Sequence, residues 1–302
     1  MPQSPRDVRT RIKAVTNIEK ITRAMAMVAA ARLRRAVQRI EALRPYASAI
    51  RRMTRQAAQA SGAMGRVPIL QEHAEVRTVG LLIVAGDRGL AGAFNSNVVR
   101  AGIAAGREHE AAGRRVVYFA SGRRAASSLT FRGKVPVDSF TGFTDRPNYT
   151  DARRIAERLM AAYLDEEVDQ VEIFYNGYAS AISQVVRRET LLPLQRATVL
   201  EEEPPEEPAS GADPPPRVSP EYEPDPEPVL KRLVPDYVEV SIFRALLEST
   251  ASEHGARMTA MRKASDNASD LMKDLTLQMN RARQAEITQE IMEVVAGAEG
   301  LR

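Results

Sequence analysis

No proline occurs between Val238 and Ala298, and apolar residues recur there at helical spacing: Leu271, Leu275, Met279 and Ala282, then Ile287, Ile291, Val294 and Ala298. Such a run makes a helix of roughly 90 Å at ~1.5 Å per residue. A helix longer than a small domain is wide cannot bury its whole stripe within its own globule. It needs a partner of comparable length.

The other end of the chain supplies one. From Ser4 to about Ala60, Val8, Ile12, Val15, Ile18, Ile21, Met25, Val28, Leu33, Val37, Ile40 and Leu43 step mostly by three and four, the period of one helix face. Ala26 and Ala29 to Ala31 add helix propensity. Pro45 removes a donor and crowds the preceding turn, so it is predicted to kink this helix or end it. Both terminal helices carry three-four seams and are rich in Met and Ala, which predicts that they pack on each other. If the segment between them holds their inner ends together, they run antiparallel. The stretch Leu271 to Ala282 then faces the N-terminal helix.

That segment alternates in character. "VGLLIVA" (79–85) and "RRVVYFA" (114–120) read as buried strands, "QVEIFYNGY" (170–178) alternates as a strand, and "QVVRRETLLPL" (184–194) follows after a short turn. Ser96 to Ala112, Gly122 to Leu129 and Thr150 to Asp165 read as helices. The order predicts an α/β unit with a largely parallel sheet closed by a hairpin. Residues 201–228 hold ten prolines and ten acidic residues, a composition that forms neither helix nor ladder and reads as a disordered surface loop. The expected organisation is a helix over 1–60, an α/β domain over 61–200, the acidic loop over 201–228 and a helix over 229–302.

Charge is segregated along the chain. Residues 1–60 carry 14 Arg and Lys against 3 acids, whereas residues 201–228 carry 10 acids against one Arg. A basic arm of this kind predicts an acidic partner. With no Cys and three scattered histidines, His73, His109 and His254, neither a thiolate site nor a metal cluster is expected. No apolar run reaches the ~18 residues of a membrane span. Helical patterning within the first ten residues leaves no room for a signal or transit peptide.

Three features of the sequence suggest chemistry. "AGDRGLAGAFNSN" (85–97) follows a strand and precedes a helix, as phosphate loops do, but Gly86, Gly89 and Gly92 match neither the dinucleotide nor the phosphate-loop spacing. It reads instead as a tight turn capped by Asp87 and Asn95. Asp165, Glu166 and Glu167 form a solvated cluster without a His or Cys partner, so a degenerate Rossmann-type enzyme is a distant reading. The basic N-terminal helix suggests a nucleic-acid binder. Its apolar stripe, however, runs through the basic portion at Ile12, Val15, Ile18 and Ile21, where a DNA-contacting helix is polar all round.

The segments "KITRAMAMVAAARLRRA" (20–36), "GDRGLAGAFN" (86–95), "YEPDP" (222–226) and "SEHGARMTAMRKASDNASDLMKDLTLQMNRARQAEITQEIMEVVAGA" (252–298) resemble the gamma subunits of F-type ATP synthase, in order and along essentially the whole chain. The resemblance implies a long antiparallel coiled coil with a central Rossmann-like α/β domain. It also implies a non-catalytic rotor without cofactor or metal, coupling proton flow through the c ring to ATP synthesis on the beta subunits. The implied partners are the alpha and beta subunits, the epsilon subunit and the c-subunit ring, with no nucleic acid. The implied place is the cytoplasmic side of the bacterial inner membrane, reached only through the complex. Lys20, Arg23 and Met25 match the family's beta-contact segment; Arg257 and Gln284 match positions that hydrogen-bond a beta loop, with Thr288 and Glu290 adjoining. Ile291, Val294 and Val295 match an apolar bearing tip. Arg257 and Gln284 lie 27 residues apart, about 7.5 turns, so on a straight helix they occupy nearly opposite faces ~40 Å apart.

Closing a shorter loop in place of residues 201–220 is expected to cost well under ~1 kcal/mol. A complex built with that deletion should therefore pump protons at the wild-type rate when driven by ATP. Collapse of pumping in an assembled complex would give the loop a role that its composition does not suggest.

Overall fold

The computed structural model describes residues 5–61, 68–180, 183–194 and 226–299. The elements are α1 (Pro5–Ser61), a 3-10 turn (Pro68–Leu70), β1 (Thr78–Val84), α2 (Phe94–Ala111), β2 (Arg115–Ser121), α3 (Arg123–Phe131), β3 (Asp138–Phe140), α4 (Tyr149–Leu164), β4 (Gln170–Tyr178), β5 (Gln184–Leu192) and α5 (Pro226–Glu299). The chain divides into two compact units, Met1–Ala31 with Arg257–Arg302, and Arg32–Ala256. The acidic loop expected over 201–228 lies outside the described residues, apart from the start of α5 at Pro226.

In the unit Arg32–Ala256, five strands form one sheet in the order β3-β2-β1-β4-β5. β1 pairs in parallel with both β2 and β4, β2 pairs in parallel with β3, and the β4–β5 hairpin closes the edge antiparallel. All seven residues of β1 are buried. That is why its sequence is a continuous apolar run rather than an alternating one, since helices cover both faces of a parallel strand. Val79, Leu81 and Ile83 pack with α2 and α3 on one face. Leu82 and Val84 pack with α4 on the other, together with Ile50 and Ala57 of α1 and Leu230, Val234, Val238, Ile242 and Ala245 of α5. On the first face α2 comes down on the strands at two glycines. A Cβ on Gly102 would lie 2.5 Å from Ile83 Cδ1, and one on Gly106 would lie 2.0 Å from the Tyr118 hydroxyl.

The two long helices run antiparallel across this unit. Arg32 and His254 both reach Asp145, Arg39 reaches the Pro147 carbonyl, Tyr149 meets Phe243 edge-on and Arg153 pairs with Glu239. As the chain advances from Asp145 to Arg153, its contacts therefore ascend α1 and descend α5. This is the expected antiparallel pairing.

Pro45, expected to kink α1 or end it, does not end it: the helix continues to Ser61. Beyond the proline Ile50, Thr54 and Ala57 are buried, and their packing outweighs one lost backbone bond. The short strand β3 was not foreseen. Three residues pairing with β2 are too few to show a period.

Two carboxylates tie loops to the sheet. Asp169 accepts hydrogen bonds from Thr78 N and Arg77 N and pairs with His73. Asp87 accepts from Arg123 N, Gly142 N, Thr144 N and the Thr144 hydroxyl. Burial pushes both carboxyls up, but these donors outweigh it and hold both below the usual range. A depressed folded pKa contributes stability that is complete above the unfolded value, ~3.9, and lost as pH falls through the folded one. Asp87→Asn is expected to lower stability near neutral pH by about 1–3 kcal/mol. It should also flatten the acid limb of a plot of melting temperature against pH; a parallel shift of the whole curve would remove Asp87 from the acid response.

Candidate functional site

The turn after β1 is the place where a doubly wound sheet would bind a nucleotide. Its residues are engaged otherwise. Asn95 Oδ1 accepts from Gly86 N at 2.8 Å, and Asp87 N donates to the Thr144 hydroxyl at 2.8 Å. Neither residue caps α2, whose N-cap is Ala93 without a side-chain bond. This corrects the expected capping: Asp87 reaches across to the first residue of α3, Arg123, and Asn95 reaches back from within α2. The crevice itself is filled by α5. A Cβ on Gly86 would lie 2.8 Å from the Glu253 carboxylate, which is buried. Gly122, at φ +92°, lies so close to the Ala85 carbonyl that a Cβ there would approach it to 2.1 Å. Among the described residues no group of three or more His, Cys, Asp or Glu could hold a metal ion.

The unit Met1–Ala31 with Arg257–Arg302 offers a different kind of site. Along α5, Met258, Met261, Ser265, Ala268, Met272, Leu275, Met279 and Ala282 are buried or half-buried, in alternating steps of three and four. Along α1 the sheltered series is Val8, Ile12, Val15, Glu19, Thr22, Ala26 and Ala29. These are seven-residue repeats, the pattern of a left-handed coiled coil. The Thr16 hydroxyl, which donates to Ile12 O at 2.8 Å, lies 3.1 Å from Met272 Sδ. Of the α5 residues expected to face α1, Leu275 is buried and Met279 and Ala282 are half-buried, while Leu271 points outward. The expected stripe on α1 leaves the seam after Val15. A strict seven-residue repeat passes through Glu19, Thr22 and Ala26, and so it leaves Ile18, Ile21, Met27 and Val28 exposed.

This seam decides where each expected contact residue stands. Lys20 and Arg23 are exposed, with Arg23 bound to Glu19 at 2.8 Å one turn back, and Met25 is half-buried. Arg257, next to Met258 at the edge of the seam, is only 8% exposed. Gln284 lies two residues past Ala282 on the outer face and is exposed, as are Thr288 and Glu290. The Thr288 hydroxyl donates to Gln284 O at 2.9 Å. Since α5 is unbroken between Arg257 and Gln284, no local unwinding brings them together. Beyond Ala282 no residue with a described side chain is buried. Ile291, Val294 and Val295 are all exposed, Val294 by 72%. The outward apolar face of α1 was the feature that periodicity alone concealed. Its signal was present, because the expected stripe stepped three residues twice running, from Val15 to Ile18 to Ile21.

The comparisons with known proteins agree along the whole length. The family described as ATP synthase matches residues 4–301. The chain is 41% identical over 299 residues to the ATP synthase gamma chain of Rubrobacter xylanophilus, covering 99% of this chain and 98% of the relative. It is 39% identical over 315 residues to that of Mycolicibacterium smegmatis, covering 100% and 99%. A chain from the central stalk and c-ring structure of Tetrahymena thermophila mitochondrial ATP synthase superposes with a TM-score of 0.59 at 25% identity, over 81% of this chain and 99% of that one. A chain of the Euglena gracilis mitochondrial enzyme shares the fold, with a TM-score of 0.67 at 18% identity over 98% and 94%.

Seam and outward face are separable by stability. Leu275→Ala, at a side chain 2% exposed, is expected to cost about 2–5 kcal/mol. Ile21→Ala, 59% exposed, should stay within about 0.5 kcal/mol. Chemical denaturation of the free chain followed by circular dichroism checks both, and a large loss at Ile21 would place it in the seam after all.

Proposed function

This chain belongs to the gamma-chain family of the ATP synthases, and from that premise we propose how its residues serve the rotor. It is the central-stalk subunit of an F-type ATP synthase, a non-catalytic shaft that couples proton flow to ATP synthesis carried out on other chains. The observation that carries the mechanism is the mismatch between the coiled-coil seam and the apolar residues. On α1 from Glu19 onward the seam is closed by polar or small side chains, Glu19, Thr22, Ala26 and Ala29, while the large apolar Ile18, Ile21, Met27 and Val28 stand outside it. Exposed apolar side chains grouped on one helix mark a surface that another protein covers.

On this reading the exposed face of α1, with Ile18, Ile21, Met27, Val28, Lys20 and Arg23, turns against the alpha and beta subunits. Its cations meet acidic segments of beta, and Met25 and the apolar side chains bear on them. From Arg262 to Asp274 the outward face of α5 is largely charged instead, with Arg262, Lys263, Asp266, Asp270 and Lys273 around an exposed Leu271. Rotation therefore presents unlike chemistry to each beta subunit in turn, which is what a shaft must do to place three identical sites in three different states. Among the described residues, the side chains of 283–296 are all exposed, and an isolated helix of that length is marginal in water. Ile291, Val294 and Val295 are the bearing surface enclosed by the surrounding subunits. Arg257 and Gln284, on different faces, grip different segments of the stator, with Thr288 and Glu290 beside the second. The α/β unit meets the epsilon subunit and the c ring. No described helix is long and apolar enough to cross a membrane, so the chain is held at the inner membrane, on its cytoplasmic side, through these partners.

Co-purification with the alpha and beta chains in mild detergent tests the assembly, and loss of both would overturn it. Within an assembled complex, Gln284→Ala or Arg257→Ala is expected to slow steady-state ATP hydrolysis roughly tenfold, the effect of ~1.4 kcal/mol on the limiting barrier. Subunit ratios on a gel should stay normal. Wild-type turnover in both variants would remove these residues from the contact set.

A further inference from the structure

The α/β fold is joined covalently to α1 and α5 only through residues 62–67 and 195–225; every other tie to the two helices is noncovalent. Much of that tie is the apolar layer beneath α4, where packing is non-directional and resists separation more than twisting. The loop between β3 and α4 is different. Asp87 holds it to the sheet through Gly142 N, Thr144 N and the Thr144 hydroxyl. From the helix side, Arg32 of α1 pairs with Asp145 Oδ2 and Arg39 of α1 donates to the Pro147 carbonyl. Thr250 of α5 shares its proton between Leu246 O at 2.8 Å and Thr144 O at 2.9 Å. His254 Nε2 of α5 stands 3.8 Å from Asp145 Oδ1, a buried oxygen with no hydrogen-bond partner among the described residues, and Arg88 lies 3.9 Å from Oδ2. One short loop thus receives side chains from both long helices and from the sheet, through bonds that depend on angle.

We infer that this loop, centred on Asp145, is the torsional latch through which the α/β fold drives the two helices, with Asp145 and Arg32 as its positioning residues. The inference rests on the rotor reading. When the fold is turned, a twist of α1 or α5 against the sheet must bend or break the contacts of Asp145, whereas the apolar layer slides. The latch sets how stiffly rotation is passed on. It does not set whether ATP is hydrolysed, because no part of it touches reacting atoms.

The chain has no cysteine, so Val135→Cys, at an exposed position of the α/β unit, provides a single attachment point for a bead. The assembled catalytic complex, fixed to a surface and stalled with a non-hydrolysable nucleotide, then reports stiffness as the angular variance of the bead. Asp145→Asn keeps the shape and removes the charge that faces Arg32 and His254; Arg32→Gln removes one of the two α1 contacts from a partly exposed position, with Arg39 on the Pro147 carbonyl remaining. Each variant is expected to raise the variance, up to about twofold, since angle-dependent bonds carry the restraint. Asp145→Glu should restore part of it. Lys134→Gln, which breaks an ion pair with Glu110 elsewhere in the same unit, should leave the variance unchanged. A residue that merely stabilised the fold would lower the melting temperature or yield without changing the variance of the complexes that do assemble. Wild-type variance in both latch variants overturns the latch, and if Asp145→Asn does not assemble, Arg32→Gln decides alone. If the unmodified chain does not join the complex, the rotor reading fails instead, and the two failures are distinct.

Discussion

A parallel strand buried on both faces obliges the rest of the chain to cover it, and most of this structure follows from that obligation. β1 lies between β2 and β4 with every side chain hidden. α2 and α3 suffice for one face. On the other face α4 is a single helix of 16 residues, too narrow for a sheet of this breadth, and the remainder is closed by Ile50 and Ala57 of α1 and by the first turns of α5. The long helices are therefore part of the core of the α/β fold before they become a coiled coil. Their antiparallel order is set by the contacts they make along the path from Asp145 to Arg153.

The α/β fold was legible because its strands and helices differ in period and each is long enough to show it. β1, β2, β4 and β5 and helices α2 to α4 lie within a few residues of where their patterns place them. β3 escaped because three residues have no period. Pro45 misled because local backbone chemistry is a weak prior beside the packing of Ile50 and Ala57. The seam was legible on α5, where Met258, Met261 and Leu275 are both apolar and buried and Met272 is half-buried. It was illegible on α1, where the buried positions are Thr22, Ala26 and Ala29 and the bulkier Ile18, Ile21 and Val28 stand outside. On the function proposed above, hydrophobicity and burial part company here because α1 serves two partners, its own companion helix and a different protein.

The same distinction explains the positions of the two polar contact candidates. Arg257 flanks the seam and is buried, whereas Gln284 occupies the outer face of the repeat after the last sheltered residue described, Ala282. Spacing already ruled out a shared face. The degree of shelter depends on which residues form the seam, and that required the structure.

The crevice above β1 holds Glu253 of the chain's own helix against Gly86. Related sheet architectures alternate between an empty and an occupied state as metabolite levels change, and their loops open and close accordingly. A crevice permanently occupied by a side chain of the same molecule has no such cycle. The group beside Gly86 is covalently part of the chain, so its presence there does not follow the ATP and ADP concentrations around it. On the rotor reading, that suits a component placed between an ion-driven ring and nucleotide-binding subunits.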